Sequence, residues 1–245
     1  MKLRYVAHPH PHLVIDEIVE AGVYRGMRFP DQLVASDSAW GITAADACYA
    51  DVLGDPAWRA LHDELRGEPF VRGTLDAFAS AMRSEGCLVE PTRARLVDFT
   101  ESRIEKERRV LAATGDPHEL FTRLDFQSKA VGGYREFVHL DWARRVVGGI
   151  LFFSDTGAEG LEGGELTFYR DRSFRNDRWC HDPEPVATFP PRHNTGVIFL
   201  NCNRAFHGPR AIRRLRGRRR WLYYAISSKV DVWPCAHPSE ASQAP

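Results

Sequence analysis

A chain of 245 residues, 43% of them hydrophobic, is long enough for one large domain or two small ones and can bury a full core, which excludes disorder for most of its length. Lys plus Arg and Asp plus Glu each number 33, so the formal charge is zero and no global field draws in nucleic acid or an anionic membrane. The longest apolar runs, such as residues 146–153, fall far short of the roughly 20 residues of a spanning helix, and MKLRYVAHPHPHLVIDEIVE shows no secretory signal; a soluble, cytoplasmic protein is expected.

The cysteines Cys48, Cys87, Cys180, Cys202 and Cys235 are odd in number, scattered and without a CxxC pair, which reads as reduced thiols, with Cys202 a small core residue beside GVIFLN. Residues 12–16 (HLVID) read as a short strand and 17–24 as a helix opened by acidic residues. Residues 43–53, 56–65 and 69–82 place apolar side chains at three- and four-residue spacing. The second has Pro56 in its first turn after the candidate N-cap Asp55, and the third carries the stripe Phe70, Leu75, Phe78 and Met82. Residues 101–113 read as a charged helix or lid. Residues 1–118 are thus expected to form a helical support region.

From residue 119 the pattern changes to strand chemistry. Residues 120–126, 134–140, 146–154, 165–169, 196–201, 205–212 and 219–227 are short runs rich in Val, Ile, Phe and Tyr, separated by Gly, Pro, Asn and Asp. So many short strands argue for a sandwich or barrel core over residues 119–229. Residues 157–165 (GAEGLEGGE) read as a hairpin connection and 171–192 as a long loop, of the length that is usually functional. Residues 230–245 read as a tail whose last part lacks order.

His139, Leu140 and Asp141 form an H-x-D triplet at the end of a predicted strand, where residues two apart share a face and can reach one metal ion. Chance alone yields roughly 0.7 such triplets in a chain with this many His and Asp residues, so the triplet means little by itself. Its company raises its weight: an apolar strand (VVGGILFF), a Gly-Gly turn (EGGEL), another apolar strand (GVIFLN), then His207 in AFHGPRAI, then the basic strand RRRWLYYAIS. Two imidazoles and one carboxylate leave three adjacent positions open on octahedral Fe(II), as an oxygenase requires. Arg219, on the strand after His207, could clamp a carboxylate through two parallel hydrogen bonds.

These segments, YREFVHLD, GGILFFSD, EGGELTFY, GVIFLN, AFHG and GRRRWLYYAIS, resemble the Fe(II)- and 2-oxoglutarate-dependent dioxygenases, especially their prolyl-hydroxylase-like branch, over about residues 119–229. HPHLVID with the following helix and MRFP, and EPFVRGTLDAFASAM, are similar to the N-terminal support region of some members. The resemblance implies an α+β fold, mainly β, with a double-stranded β-helix (jelly-roll, cupin-like) core and N-terminal supporting helices. It implies that His139, Asp141 and His207 bind Fe(II) and that Arg219 binds the far carboxylate of 2-oxoglutarate. It further implies O2 as oxidant, ascorbate as a candidate reductant, and oxidation of a substrate C–H bond with release of succinate and CO2.

Two departures bear on the site. Many members place the Arg ten residues after the second His and a Ser two residues later, whereas here the gap is twelve and position 221 is Trp. The Gly217-x-Arg219 spacing favours Arg219, with Arg218 and Arg220 as alternatives on the opposite face. A tyrosine hydroxyl expected on the strand after H-x-D is replaced by Phe152 and Phe153, which leaves Gln127 and Tyr134 as candidates for a second co-substrate contact. Asp141 argues against a halogenase, because those relatives vacate the carboxylate position.

Other clusters have blander readings. His8, His10 and His12 (HPHPH) read as an exposed, Pro-stiffened segment rather than a metal cluster. His181 and His193, with Trp179, Arg172, Arg175 and Arg178, either contact substrate or belong to a solvated loop. Trp142, Arg144 and Arg145 either line the pocket mouth or pack at a strand end. Seven arginines within residues 210–220 form a solvated hairpin or a local anion patch; without interleaved aromatics, an anionic small molecule is favoured over nucleic acid. The expected partner is a small polar or anionic metabolite. A peptidyl hydroxylase, a cupin-like binding protein and an Arg-rich nucleic-acid-binding module are the alternatives, and nothing in the sequence speaks to oligomeric state.

Overall fold

The computed structural model describes residues 1–31, 41–101, 115–130, 137–173, 178–214 and 218–233. Among these residues, ten strands and four α-helices follow in the order β1 (Lys2–Val6), β2 (His12–Glu17), α1 (Ala21–Gly26), α2 (Tyr49–Val52), α3 (Pro56–Arg66), α4 (Glu68–Ser84), β3 (Arg95–Leu96), β4 (Glu119–Lys129), β5 (Arg145–Phe152), β6 (Leu166–Asp171), β7 (Pro183–Phe189), β8 (Thr195–Leu200), β9 (His207–Pro209) and β10 (Arg219–Ser228). A seven-stranded sheet has the order β1-β2-β8-β5-β10-β4-β3, and a three-stranded sheet the order β7-β6-β9. Every pairing in them is antiparallel except that of β3 with β4.

The large sheet is covered on both faces, which explains its nearly continuous apolar strands. On one face, Leu124, Phe126, Leu151, Ile198, Leu222, Tyr224 and Ile226 join the helices in one core cluster. The amphipathic spacing of α3 and α4 turns Trp58, Leu61 and Leu65, and Val71, Leu75, Phe78 and Met82, toward that face. Asp55 caps α3, accepting from the Ala57 and Trp58 amides at 2.8 and 3.5 Å, and Pro56 fills its first position. The Trp58 ring lies 5.1 Å from that of Phe126, and the Tyr224 hydroxyl donates to the Leu65 carbonyl at 3.2 Å, tying helix to sheet. On the other face Phe152, Val197 and Phe199 pack with Leu166 and Phe168 of the small sheet. The chemistry lies between these two sheets.

Several expectations need correction. The helix foreseen over 17–24 begins later, at Ala21, because Glu20 is its N-cap and accepts from the Val23 amide. Residues 43–53 yield only the short α2, since Thr43 and Asp46 are drawn into a turn by their own side chains. The supposed long loop over 171–192 contains β7, whose half-exposed alternation pairs it along β6 at the sheet edge. His139 lies in an isolated bridge rather than a regular strand. Val232 and Trp233, assigned to the tail, are buried, with the indole donating to the Arg145 carbonyl at 2.6 Å. The lid over 102–113, Tyr134 and the tail end 234–245 lie outside the described residues. Among the described residues no helix is long and apolar enough to cross a membrane, and the four described cysteines are free.

Candidate metal centre

Three backbone segments converge at the mouth between the sheets. His207 opens β9, and its amide and carbonyl exchange hydrogen bonds with those of His139 at 2.9 and 3.0 Å. On the other side of the same segment, the Leu140 amide donates to the Arg178 carbonyl at 2.9 Å, and the Arg178 guanidinium returns to the Leu140 carbonyl at 2.8 Å. Asn201, just past β8, accepts from the Asp141 amide at 3.2 Å and donates to the Trp142 and Arg145 carbonyls at 3.1 and 3.2 Å, which locks the turn after Asp141.

This backbone brings His139, Asp141 and His207 together, with one donor atom from each lying within 4.8 Å of the others. The His139 and His207 rings are 4.7 Å apart, and His139 Nε2 lies 3.7 Å from Asp141 Oδ1. The other oxygen, Oδ2, accepts from the Tyr223 hydroxyl at 3.0 Å. Gly148 leaves room for it, since a Cβ there would stand 2.8 Å from Oδ2. His207 Nδ1 lies 3.0 Å from the Ala205 carbonyl, so this nitrogen carries the proton and Nε2 keeps its lone pair for a metal.

The donor set fits Fe(II). Burial pushes the His207 imidazole down to about 4, aided by His139, so it is a neutral ligand at physiological pH. Burial pushes the Asp141 carboxyl up, but the neighbouring His139, His207 and Arg145 outweigh that and hold it well below the usual carboxylate range. Burial raises the Tyr223 phenol far above its ordinary value, so it keeps its proton and donates. Two imidazoles and one carboxylate are the facial set that a non-haem Fe(II) site uses.

The arginine register follows from the sheet. Residues paired across antiparallel strands share a face, so Arg219, Trp221 and Tyr223 of β10 point the same way as Lys129, Gln127 and Asp125 of β4 and as Phe152 and Ile150 of β5. Tyr223 reaches Asp141, so this is the face of the candidate centre, and Arg219 lies four residues along it. Gly164 makes a berth for that side chain: its φ is +75°, and a Cβ on it would stand 2.8 Å from Arg219 Cδ. The Arg219 guanidinium carbon lies 4.2 Å from the centre of the Trp221 ring. Arg218 and Arg220 face away, Arg218 donating to Ser128 and Arg220 to Asp31 and Glu159 at 2.6 and 3.0 Å. Gln127 is on the site face, opposite Trp221.

The remaining sequence candidates lie elsewhere or act differently. Arg144 and Arg145 do not line a mouth: both are buried and donate to Glu101, which also pairs with Arg123. Trp142 packs beneath Arg178, whose guanidinium carbon is 3.2 Å from its ring centre. Trp179 and Phe137, 46% and 42% exposed, flank His139 with ring centres 6.3 and 4.6 Å from it. His193 meets the Tyr24 hydroxyl at 2.8 Å and has no place at the centre. His10 and His12 are buried, not exposed: they pack on Phe168 with ring centres at 4.0 and 5.3 Å, at the start of β2, where the chain runs beneath the small sheet. Tyr223 and Asn201 were not singled out from sequence. The alternation that places Arg219 also places Tyr223, so its signal was present, whereas Asn201 looks only like a polar strand end.

No family model matches the chain, and no curated protein matches it significantly. Solved structures do. A prolyl 4-hydroxylase from Phytophthora capsici superposes with a TM-score of 0.50 at 16% identity, over 89% of this chain and 58% of that one, so the chain spans less than two thirds of that protein. A 2OG-Fe(II) oxygenase family oxidoreductase from Burkholderia pseudomallei gives 0.40 at 14% identity (94% and 74% covered), and a prolyl hydroxylase from Trichoplax adhaerens 0.41 at 11% (88% and 83%). The chain thus has a jelly-roll-like core of the double-stranded β-helix type, with helices on one outer face, and shares its fold with the Phytophthora capsici prolyl 4-hydroxylase.

Proposed function

We propose that the chain is an Fe(II)- and 2-oxoglutarate-dependent dioxygenase that hydroxylates a C–H bond of a small polar or anionic molecule, with release of succinate and CO2. The observation that carries this reading is the convergence of His139, Asp141 and His207, donors from distant parts of the chain, within 4.8 Å at the mouth between two sheets. Iron held there would supply, with O2 and 2-oxoglutarate, the oxidising power for C–H cleavage. The protein's own residues do the rest. Asn201 and the Arg178–Leu140 hydrogen bond fix the segment that carries two of the ligands. Arg219, on the same face, is the cation to hold the far carboxylate of 2-oxoglutarate, with Gln127 as a second polar contact. Trp221 and Phe152, both buried, keep water from that face.

The test is anaerobic addition of Fe(II) and 2-oxoglutarate to the full chain, followed by O2 with ascorbate as reductant. A visible charge-transfer band and succinate release are expected in the wild type and not in His139→Ala. A wild-type chain showing neither is a cupin-like binding protein. A second reading, a peptidyl hydroxylase, draws on Phe137 and Trp179, whose exposed rings beside His139 offer an apolar surface to a peptide. Peptides and small acids compared as stimulators of succinate release separate the two.

A further inference from the structure

We propose that Tyr223 restricts Asp141 to ligation through a single oxygen and so keeps one position of the metal open for the co-substrate. This inference rests on the iron-dependent reading above. The two carboxylate oxygens stand in different surroundings. Oδ1 faces His139 Nε2 at 3.7 Å, on the side where the three donors converge. Oδ2 is turned onto the large sheet, where the Tyr223 hydroxyl donates to it at 3.0 Å. Gly148 lies beneath, and a Cβ there would press on Oδ2 at 2.8 Å, so the strand is shaped to receive that oxygen.

A carboxylate binds a metal through one oxygen or through both, and the choice counts at a three-ligand site. A second Asp141 oxygen would fill one of the three positions that a bidentate co-substrate and O2 need. A hydrogen bond to Oδ2 opposes that change, since chelation would require it to leave a donor in a poorly hydrated site. The Asp141 amide is held by Asn201 at the same time, so the backbone cannot swing to bring both oxygens inward. Tyr223 is a positioning residue: it touches a ligand, not the reacting atoms. Its cross-strand partners are Asp125 of β4 and Ile150 of β5.

Tyr223→Phe in the full chain, loaded with Co(II), tests this, because Co(II) gives a coordination-sensitive absorption spectrum and forms no oxidant. The variant is expected to keep binding Co(II), with an affinity about tenfold lower, to show an altered Co(II) band, and at saturating Co(II) to bind 2-oxoglutarate anaerobically about tenfold more weakly. Infrared difference spectra of 13C-aspartate-labelled wild type, with and without metal, supply a second measurement that needs no variant: a wide carboxylate splitting, as for one-oxygen ligation, is expected. A narrow wild-type splitting overturns the proposal. So does a variant with unchanged band and unchanged 2-oxoglutarate affinity, and so does loss of Co(II) itself, which would make Tyr223 a general support for the site. If the wild type takes up no Co(II), the iron-dependent reading falls and this inference with it.

Discussion

His10 shows how a single buried side chain couples this fold to pH. Only 2% exposed, it packs against Phe168 with ring centres 4.0 Å apart, and its Nε2 finds no hydrogen bond among the described residues. Burial, helped by the nearby His207, His12 and Arg204, pushes its imidazole down to about 3 from an ordinary 6.5. The unfolded chain therefore takes up a proton near pH 6.5 that the native state refuses. Stability is whole above that pH, falls as pH drops toward 3 and loses nothing more to this group below it. His10→Phe keeps a ring against Phe168 and removes the titration. Between pH 6 and pH 4, in EDTA, the variant's urea stability should fall less steeply than that of wild type, by about 1.4 kcal/mol per pH unit. His12 and His207, also lowered, contribute equally to both proteins, so parallel slopes would show that His10 is protonated in the fold.

At the scale of elements, the strands β4, β5 and β10 are joined by a charged cluster as well as by their ladders. Glu101 accepts from Arg144 at 3.0 and 2.8 Å and from Arg145 at 2.6 Å, and pairs with Arg123, which also donates to Asp125 at 2.9 Å. Burial raises the Glu101 carboxyl, but Arg145, Arg123 and Arg144 overcome it and hold the group well below the carboxylate range. It therefore stays charged at neutral pH, and its contribution, complete above about pH 4.5, is lost as pH falls below that into strong acid. Glu101→Gln leaves three buried guanidiniums short of a countercharge, a change that costs about 3–5 kcal/mol. Urea unfolding at pH 7 measures it, and a loss below about 1 kcal/mol would mean that Asp125, beside Arg123, and Asp231, whose charge acts on Arg144, already balance the cluster. None of this was legible in the sequence, where Glu101 opens a charged run and its partners are 22 to 44 residues away. What could be read was local. Asp55-Pro56 marked the start of α3, the alternation of β10 separated Arg219 from Arg218 and Arg220, and the apolar runs marked β4, β5 and β8. His10 and His12 were misread for the converse reason: two prolines beside them look like a surface segment, and only the small sheet, which packs over them, buries them.

At the scale of the molecule, the candidate metal centre is a clasp between two sheets. His207 belongs to β9 of the small sheet. Asp141 is tied to the large one twice, through Asn201 at the end of β8 and through Tyr223 of β10. Direct links between these parts include the backbone pair between His139 and His207 and the contact of the Phe199 and His207 rings at 4.4 Å. An ion shared by the three donors would add a crosslink to the apolar packing that already joins the sheets. Because it binds the native arrangement and not the unfolded chain, it raises stability by mass action, by about 2.7 kcal/mol at a hundredfold excess over its dissociation constant. For a domain of this size that corresponds to a rise in melting temperature of about 5–10 °C. The expectation is that Co(II) added to EDTA-treated protein raises Tm by that amount, and that Asp141→Ala and His207→Ala, each first shown to fold, abolish the rise. A rise of equal size in both variants would locate the bound ion elsewhere. In that case the convergence of the three side chains would be a feature of packing, and the two sheets would be held together without a metal.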